Sequence, residues 1–326
     1  MNGQTQRQVL LLFPEQLRER WEKAVAAAFS REEGLREIRL RAERPVLMLT
    51  GRGESFVKRD GGLTEQAERA YVLTAQELSR IVRHLCRYSL YAYEEELGQG
   101  FLSVSGGFRV GVTGEAVLGP DGMVKNIRHI SSLNIRIAHQ ARGAGTEVLP
   151  FLYEGKTLCS TLLISPPGCG KTTLLRDLIR LVSDGSGKWP GKTVGVVDER
   201  SELAACVQGI PAHDLGLRTD VLDGCPKGPG MLMLLRSMGP EVIAADELGG
   251  PGDVVALEQV LKCGCSVLAT VHGSGFEEIR KKRFLEPLFL AGAFGRYLVL
   301  GRREGRFWVE QVIDAGGSCL AAGIPC

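Results

Sequence analysis

The sequence contains no apolar run approaching the ~18 residues of a membrane-spanning helix. Any residence at a membrane is therefore expected to be through a partner. A dominant charge sign is also missing. Its 40 basic and 38 acidic residues leave a net charge of +2, which gives no basis for indiscriminate nucleic-acid binding and confines any basic surface to a local face. The nine cysteines lack framework spacing. The nearest pair, Cys263-Gly264-Cys265, has no second Cys or His pair to complete a zinc site, and it reads as two small buried hydrophobes. No internal repeat is evident, and no positive-then-apolar leader pattern opens the chain. With 44% hydrophobic and 24% charged residues, the composition is that of a globular chain long enough for two cores.

What is present is organised around Leu162-Leu163-Ile164-Ser165-Pro166-Pro167-Gly168-Cys169-Gly170-Lys171-Thr172-Thr173. A strand-like apolar run enters it, a helical pattern leaves it, and Gly-Lys-Thr closes the loop between them. This is the phosphate-cradling pattern of nucleoside-triphosphate enzymes. Successive backbone N–H groups surround a phosphate chain only where no Cβ blocks the approach, which Gly168 and Gly170 provide. Lys171 brings a flexible point charge to the terminal phosphates, and Thr172 offers a hydroxyl to Mg²⁺. The usual first glycine is replaced by Ser165, with Pro166-Pro167 expected to fix the turn. The whole stretch from Ser165 to Thr173 is the candidate ATP cradle. The plainer reading is an ordinary β–α connection, which does not explain why strand, loop and helix all agree. An ATP site without an export pattern points to the cytosol, where thiols stay reduced.

Periodicity organises the rest. A helix is predicted over residues 14–29, with Leu17, Trp21, Val25 and Ala28 on one stripe. Glu37-Ile38-Arg39-Leu40-Arg41 alternates as a strand with a mostly arginine face, and residues 46–50 form a second strand. Thr74-Ala75-Gln76-Glu77 is a capping box that opens a helix carrying Leu78, Ile81, Val82 and Leu85. Short strands are predicted at 101–104, 108–113, 116–118 and 132–138, with turns at Gly106-Gly107 and Pro120-Asp121-Gly122. Ala141-Arg142-Gly143-Ala144-Gly145 reads as a hinge. Residues 1–145 are thus expected to form a small α+β domain, and residues 146–326 an α/β domain. In the latter, strands at 193–197, 242–245 and 266–271 alternate with helices after the loop, at 229–238 and at 254–261. Residues 220–230 read as a loop, and 297–301 with 306–313 as a hairpin around Arg303-Glu304-Gly305.

Three of these strands end in ionisable residues, where open α/β sheets place their ligands. The ends are Asp198-Glu199-Arg200, Asp246-Glu247 and His272-Gly273-Ser274. ATP hydrolysis needs a cradle, Mg²⁺, a carboxylate for the attacking water, and positive charge as the bond breaks. Asp246 is expected to hold Mg²⁺ opposite Thr172, Glu247 to polarise the water, and His272 to contact the terminal phosphate. Asp198 and Glu199 are expected to face the same cleft. The alternatives are a structural role for His272 and a surface ion pair of Asp198-Glu199 with Arg200.

In this order the residues resemble the secretion ATPase superfamily, which includes type II and type IV secretion and type IV pilus motors. Its acidic box, Leu-Arg pair, catalytic glutamate and histidine box look like Asp198-Glu199, Leu235-Arg236, Glu247 and Thr270-Val271-His272. Asp246 and Gly249-Gly250 depart from the pilus motors, which often lack that Asp and carry Arg-Asp after the glutamate. A second resemblance covers nearly the whole chain. Glu37-Ile38-Arg39-Leu40-Arg41, Gly107-Phe108-Arg109-Val110-Gly111, Asn134-Ile135-Arg136-Ile137-Ala138, Val197-Asp198-Glu199-Arg200-Ser201-Glu202 and Arg218-Thr219-Asp220-Val221-Leu222-Asp223-Gly224-Cys225-Pro226 are similar to the stage III sporulation protein AA family of endospore-forming bacteria.

These resemblances imply a RecA-like P-loop ATPase domain, ATP and Mg²⁺ as ligands, and a homo-hexameric ring with ATP between subunits. They also imply a cytoplasmic, mother-cell location, docked on membrane proteins of a channel to the forespore. Superfamily members complete the site with N-terminal arginines, which makes Arg109 and Arg136, then Arg39 and Arg41, the candidates here. Two other functions fit the same core. A nucleic-acid translocase needs basic or aromatic pore loops, which residues 220–230 do not supply, so no direct nucleic-acid partner is expected. A nucleotide-gated scaffold would not need both Asp246 and Glu247.

Overall fold

A computed structural model describes residues 2–30, 34–51, 53–86, 93–104, 108–120, 122–137, 142–206, 209–303 and 306–326. Gly106-Gly107, Asp121, Ala138, Ala141 and Glu304-Gly305, which carry parts of the predicted turns, strand end and hinge, lie outside the described residues. The chain divides into two compact units, residues 1–139 and 140–326.

In the first unit, helices α1 (Asn2–Leu11), α2 (Glu15–Phe29), α3 (Ala75–Leu85) and α4 (Glu94–Gly98) accompany an antiparallel sheet. Its strands are β1 (Leu35–Arg41), β2 (Leu47–Thr50), β3 (Gly53–Val57), β4 (Leu63–Thr64), β5 (Phe101–Val104), β6 (Phe108–Leu118) and β7 (Val124–Arg136). Among the described residues their order is β4-β3-β2-β1-β7-β6-β5. Alternation sends Ile38, Leu40, Val110, Leu133 and Ile135 into a core with Trp21, Val25, Leu78 and Ile81. Trp21 stacks on Phe13 with ring centroids 4.0 Å apart. The capping box at α3 is formed: Glu77 N–H donates to Thr74 Oγ1 at 3.2 Å, and Thr74 N–H donates to Glu77 Oε2 at 3.1 Å. Register places Arg39 beside Asn134, and Arg136 between Glu37 and Arg109, so the opposite face of the sheet is rich in arginine.

Three features of this unit differ from the sequence expectation. The two short strands predicted at 108–118 are one strand, β6, bulged between Thr113 and Glu115. A Cβ on Gly114 would lie 2.6 Å from the Arg128 carbonyl oxygen, so only glycine fits this bulge. β7 begins eight residues before the predicted position because its first part is largely exposed and carries no apolar alternation. α1 likewise escaped notice because its first two turns are polar.

In the second unit an eight-stranded sheet, counted among the described residues, carries helices on both faces. Its elements are β8 (Thr161–Ser165), α5 (Lys171–Asp184), β9 (Val194–Asp198), β10 (Thr219–Asp223), α6 (Lys227–Ser237), β11 (Val242–Ala245), α7 (Pro251–Lys262), β12 (Ser266–His272), α8 (Phe276–Arg280), α9 (Glu286–Leu290), β13 (Arg296–Arg303), β14 (Arg306–Asp314) and β15 (Cys319–Pro325). Their order is β10-β9-β11-β12-β8-β13-β14-β15. The strands from β10 to β13 are parallel, and β14 and β15 close the sheet antiparallel. Leu163, Val196, Ala244 and Leu268 pack under Leu174, Leu178 and Val182 of α5. The alternate residues Leu162, Ile164, Ile243, Ala245, Val267 and Ala269 pack under Met231, Leu234, Val254 and Leu257 of α6 and α7. Burial on both faces is why these strands read as continuous apolar runs.

The expected 220–230 loop is instead the half-buried edge strand β10, a turn, and the start of α6. Cys263 is exposed and caps α7, because Gly264 at φ 84° turns the chain there; the pair is not a buried one. The Gly143 to Gly145 stretch is pinned, not free as a hinge. The Gly143 and Gly145 N–H groups both donate to Asp177 Oδ2 of α5, at 3.0 and 2.9 Å. A Cβ on Gly145 would lie 2.7 Å from Leu178 Cδ2, so this glycine serves close packing. No described helix is long and apolar enough to cross a membrane.

Candidate functional site

β8 delivers the chain to a loop that ends on α5. Gly168 and Gly170 adopt φ values of 74° and 78°, a region that glycine enters without strain. A Cβ on Gly168 would meet nothing within 4 Å, whereas one on Gly170 would lie 2.7 Å from the Phe307 ring of β14. Gly170 is therefore needed for an aromatic neighbour as well as for its backbone. Ser165 is fully buried, donates its hydroxyl to the Pro166 carbonyl at 2.9 Å, and is not among the residues with positive φ. That is why a serine serves where the pattern has glycine. Pro166 is half-buried, Pro167 is exposed, and Cys169, Thr172 and Thr173 are half-buried. Lys171 opens α5 and is 8% exposed.

The parallel register brings the neighbouring strand ends to this loop. Ser165 lies beside His272, and the Gly273 N–H donates to the Ser165 carbonyl at 3.1 Å. β12 separates β8 from β11, so Asp246 and Glu247, just beyond β11, reach across the end of β12. Thr172 Oγ1 donates to Asp246 Oδ2 at 2.6 Å, and Lys171 Nζ is 3.7 Å from Asp246 Oδ1. The Thr270 hydroxyl donates to the same carboxylate. Glu247 sits at φ 58°, held by its N–H to Thr270 Oγ1 at 2.8 Å. One carboxylate oxygen lies 2.9 Å from His272 Nε2, and the other 2.5 Å from Arg200 Nη1. His272 Nδ1 is buried without a hydrogen-bond partner among the described residues. Lys171, Thr172, Asp246, Glu247 and His272 thus form one connected cluster.

Asp198 and Glu199 part company. Asp198 is 3% exposed and accepts the N–H groups of Glu202 and Ala204 at 2.9 and 2.8 Å, so it fastens the following loop. Burial pushes its carboxyl above the usual carboxylate range, against the downward pull of the Ala204, Leu203 and Glu202 amides. Buried Arg176 of α5 holds the same loop through the Leu203 and Glu202 carbonyls at 2.8 and 2.6 Å. Glu199 pairs with Lys227 at the start of α6. Arg200, weighed as an ion-pair partner of Asp198-Glu199, pairs with Glu247. The sequence carried no signal for that contact beyond Arg200 lying next to Asp198-Glu199. Arg236 of α6 lines a cleft of about 840 Å³ with Leu232, Met233 and Val255, and the Glu199–Lys227 pair borders it. Arg39, Arg41, Arg109 and Arg136 all lie on the arginine-rich face of the first unit. Arg39 pairs with Glu37 at 2.9 Å, and the Arg109 guanidinium lies 3.8 Å from the Phe101 ring centroid.

The sheet order, with a strand between the phosphate-loop strand and the acidic strand, defines a RecA-like P-loop ATPase fold. Two solved structures share it: the ATPase DotB of Legionella pneumophila, at TM-score 0.55 and 15% identity, covering 86% of this chain and 77% of that one, and the pilus retraction motor PilT with bound ADP, at TM-score 0.56 and 13% identity, covering 82% and 75%. The family model for sporulation stage III, protein AA, matches residues 4–320. The stage III sporulation protein AA of Bacillus subtilis is 42% identical over 287 residues, 88% of this chain and 89% of that protein. The chain belongs to the sporulation stage III protein AA family.

Proposed function

We propose that this chain is an ATPase that powers or assembles a membrane-spanning channel between mother cell and forespore during endospore formation. It acts as a homo-hexamer in the mother-cell cytoplasm, with ATP between subunits, and meets the membrane through proteins of the channel. The observation that carries the reading is the convergence of Lys171, Thr172, Asp246, Glu247 and His272 at neighbouring strand ends. Family membership supports the place in sporulation.

The donor set suits the ligands. The left-handed Gly168, with open space where a Cβ would stand, suits a phosphate chain. The hydroxyl of Thr172 and the carboxylate of Asp246, in contact at 2.6 Å, are the hard oxygen pair that a bound Mg²⁺ takes. Mg²⁺ supplies charge neutralisation on the phosphate oxygens. Lys171 exchanges Asp246 for the terminal phosphates. Glu247 orients the attacking water and takes its proton as the water oxygen bonds to the γ-phosphorus and the bond to the ADP oxygen breaks. His272 keeps Glu247 in place and contacts the phosphate. Arg109 or Arg136 of a neighbouring copy adds positive charge to the same reaction.

Phosphate release measured across protein concentrations, beside Glu247→Gln, tests this. Turnover that rises more than linearly and is lost in the variant is expected. Undiminished turnover in Glu247→Gln removes the catalytic assignment, and ATP binding without any turnover leaves a nucleotide-gated scaffold.

A further inference from the structure

Arg200 has no assigned role in the reading above, yet it makes the shortest contact of Glu247, 2.5 Å from Nη1 to Oε2. β9 and β11 are neighbours in register, with Val197 beside Ala245, so the residues just beyond each strand meet. The root of Glu247 is fixed, because its own N–H and that of Leu248 both bond to Thr270 at 2.8 Å. Its partner on the other side faces solvent: the Arg200 side chain is 58% exposed, against 9% for Lys171 and 10% for Lys227. Among Lys171, Lys227 and Arg200, Arg200 is the most exposed to solvent. Asp198, Glu199, Lys227, Asp246 and Glu247 line a slot of about 10 Å³ with it, the scale of one water.

We propose that Arg200 is a γ-phosphate ligand supplied by the same chain: it exchanges the Glu247 carboxylate for the terminal phosphate of ATP, and the exchange frees Glu247 for the attacking water. A guanidinium binds phosphate in two-pronged fashion, and the terminal phosphate carries more negative charge than one carboxylate. With Arg200 on Oε2 and His272 on Oε1, both oxygens of Glu247 are engaged by donors. Departure of Arg200 leaves one oxygen for the water while His272 holds the other. ADP, without the γ-phosphate, offers Arg200 nothing in exchange. The device therefore couples recognition of the third phosphate to release of the base.

This inference rests on the ATP-site reading. The test measures binding of ADP and of a slowly hydrolysed ATP analogue, both with Mg²⁺, to the full-length protein and to Arg200→Ala, Arg200→Lys and Lys171→Ala. Steady-state turnover is measured alongside. The unaltered protein is expected to prefer the ATP analogue over ADP by about tenfold, one charged contact's worth. Arg200→Ala should bring the two affinities together with ADP affinity unchanged, which also reports an intact fold. Its kcat should fall by about tenfold or more while Arg200→Lys recovers part of both losses. An unchanged preference, an equal weakening of both nucleotides, or faster turnover in Arg200→Ala would overturn the proposal and leave the ATPase reading standing. Failure of the unaltered protein to bind either nucleotide would overturn the ATPase reading, and this inference with it.

Discussion

β9 and β11 are adjacent parallel strands, and the apolar run of each leads into Asp-Glu. Their carboxylates nonetheless do opposite things. Asp198 is bound by backbone amides that cannot leave, so it is committed to shaping the loop after β9. Asp246 is bound by two hydroxyls and an ammonium, all on side chains, and two of these, Thr172 and Lys171, belong to the phosphate loop's end. Glu199 is tied to Lys227, whereas Glu247 lies between an exposed guanidinium and a histidine. The lesson is that the kind of partner, and not the carboxylate's burial alone, separates an acid tied into a loop from one facing exchangeable side chains.

The hardest test of that distinction is Lys171→Ala, which removes the ammonium from Asp246. ATP binding should vanish in an equilibrium assay, while thermal unfolding shifts little if the lysine's proposed partner is phosphate. Retained ATP affinity would mean that the Asp246 side of the comparison is structural too. Next, Asp198→Asn places an amide N–H against a backbone N–H in a buried site and should cost about 1–3 kcal/mol in denaturant unfolding. Its ATP affinity should change far less than in Lys171→Ala, and a loss as complete would erase the difference between the two strand ends.

The last effect, absent near neutral pH, is a slope with pH. His213 lies in the loop that Asp198 fastens, its N–H donating to the Ala204 carbonyl at 3.0 Å. Burial, aided by Arg176, lowers its pKa from 6.5 to about 3. Between those values the unfolded chain takes up a proton that the folded chain refuses, so stability falls as pH drops through this window. Asp198 carries the opposite sign, because its raised pKa favours the folded state as pH falls just above the ordinary carboxylate value. His213→Phe should flatten the acid limb of a stability curve. A limb of unchanged steepness would show that the loop does not hold this histidine neutral.

Much of this was legible from pattern. The parallel strands announced themselves because burial on both faces leaves an unbroken apolar run, and the loop and Asp246-Glu247 followed from strand ends. The illegible parts have a common cause. β10, β15 and the far half of the β6–β7 hairpin bury little, so selection for apolar alternation is weak there. Asp198 could not be told from Asp246, because identical side chains take their roles from the atoms that face them. The Gly143 to Gly145 stretch looked flexible because glycine serves close approach as well as freedom, and only a neighbouring Leu178 distinguishes the two.

Asp177 lies six residues along the helix that Lys171 opens, about 9 Å of axial rise. Through one oxygen it grips two amides of the segment by which the chain enters its second unit. Mechanically this makes α5 a strut that braces this segment. A shift of the helix at Asp177 would be felt first at residues 143 and 145, whose amides its carboxylate holds.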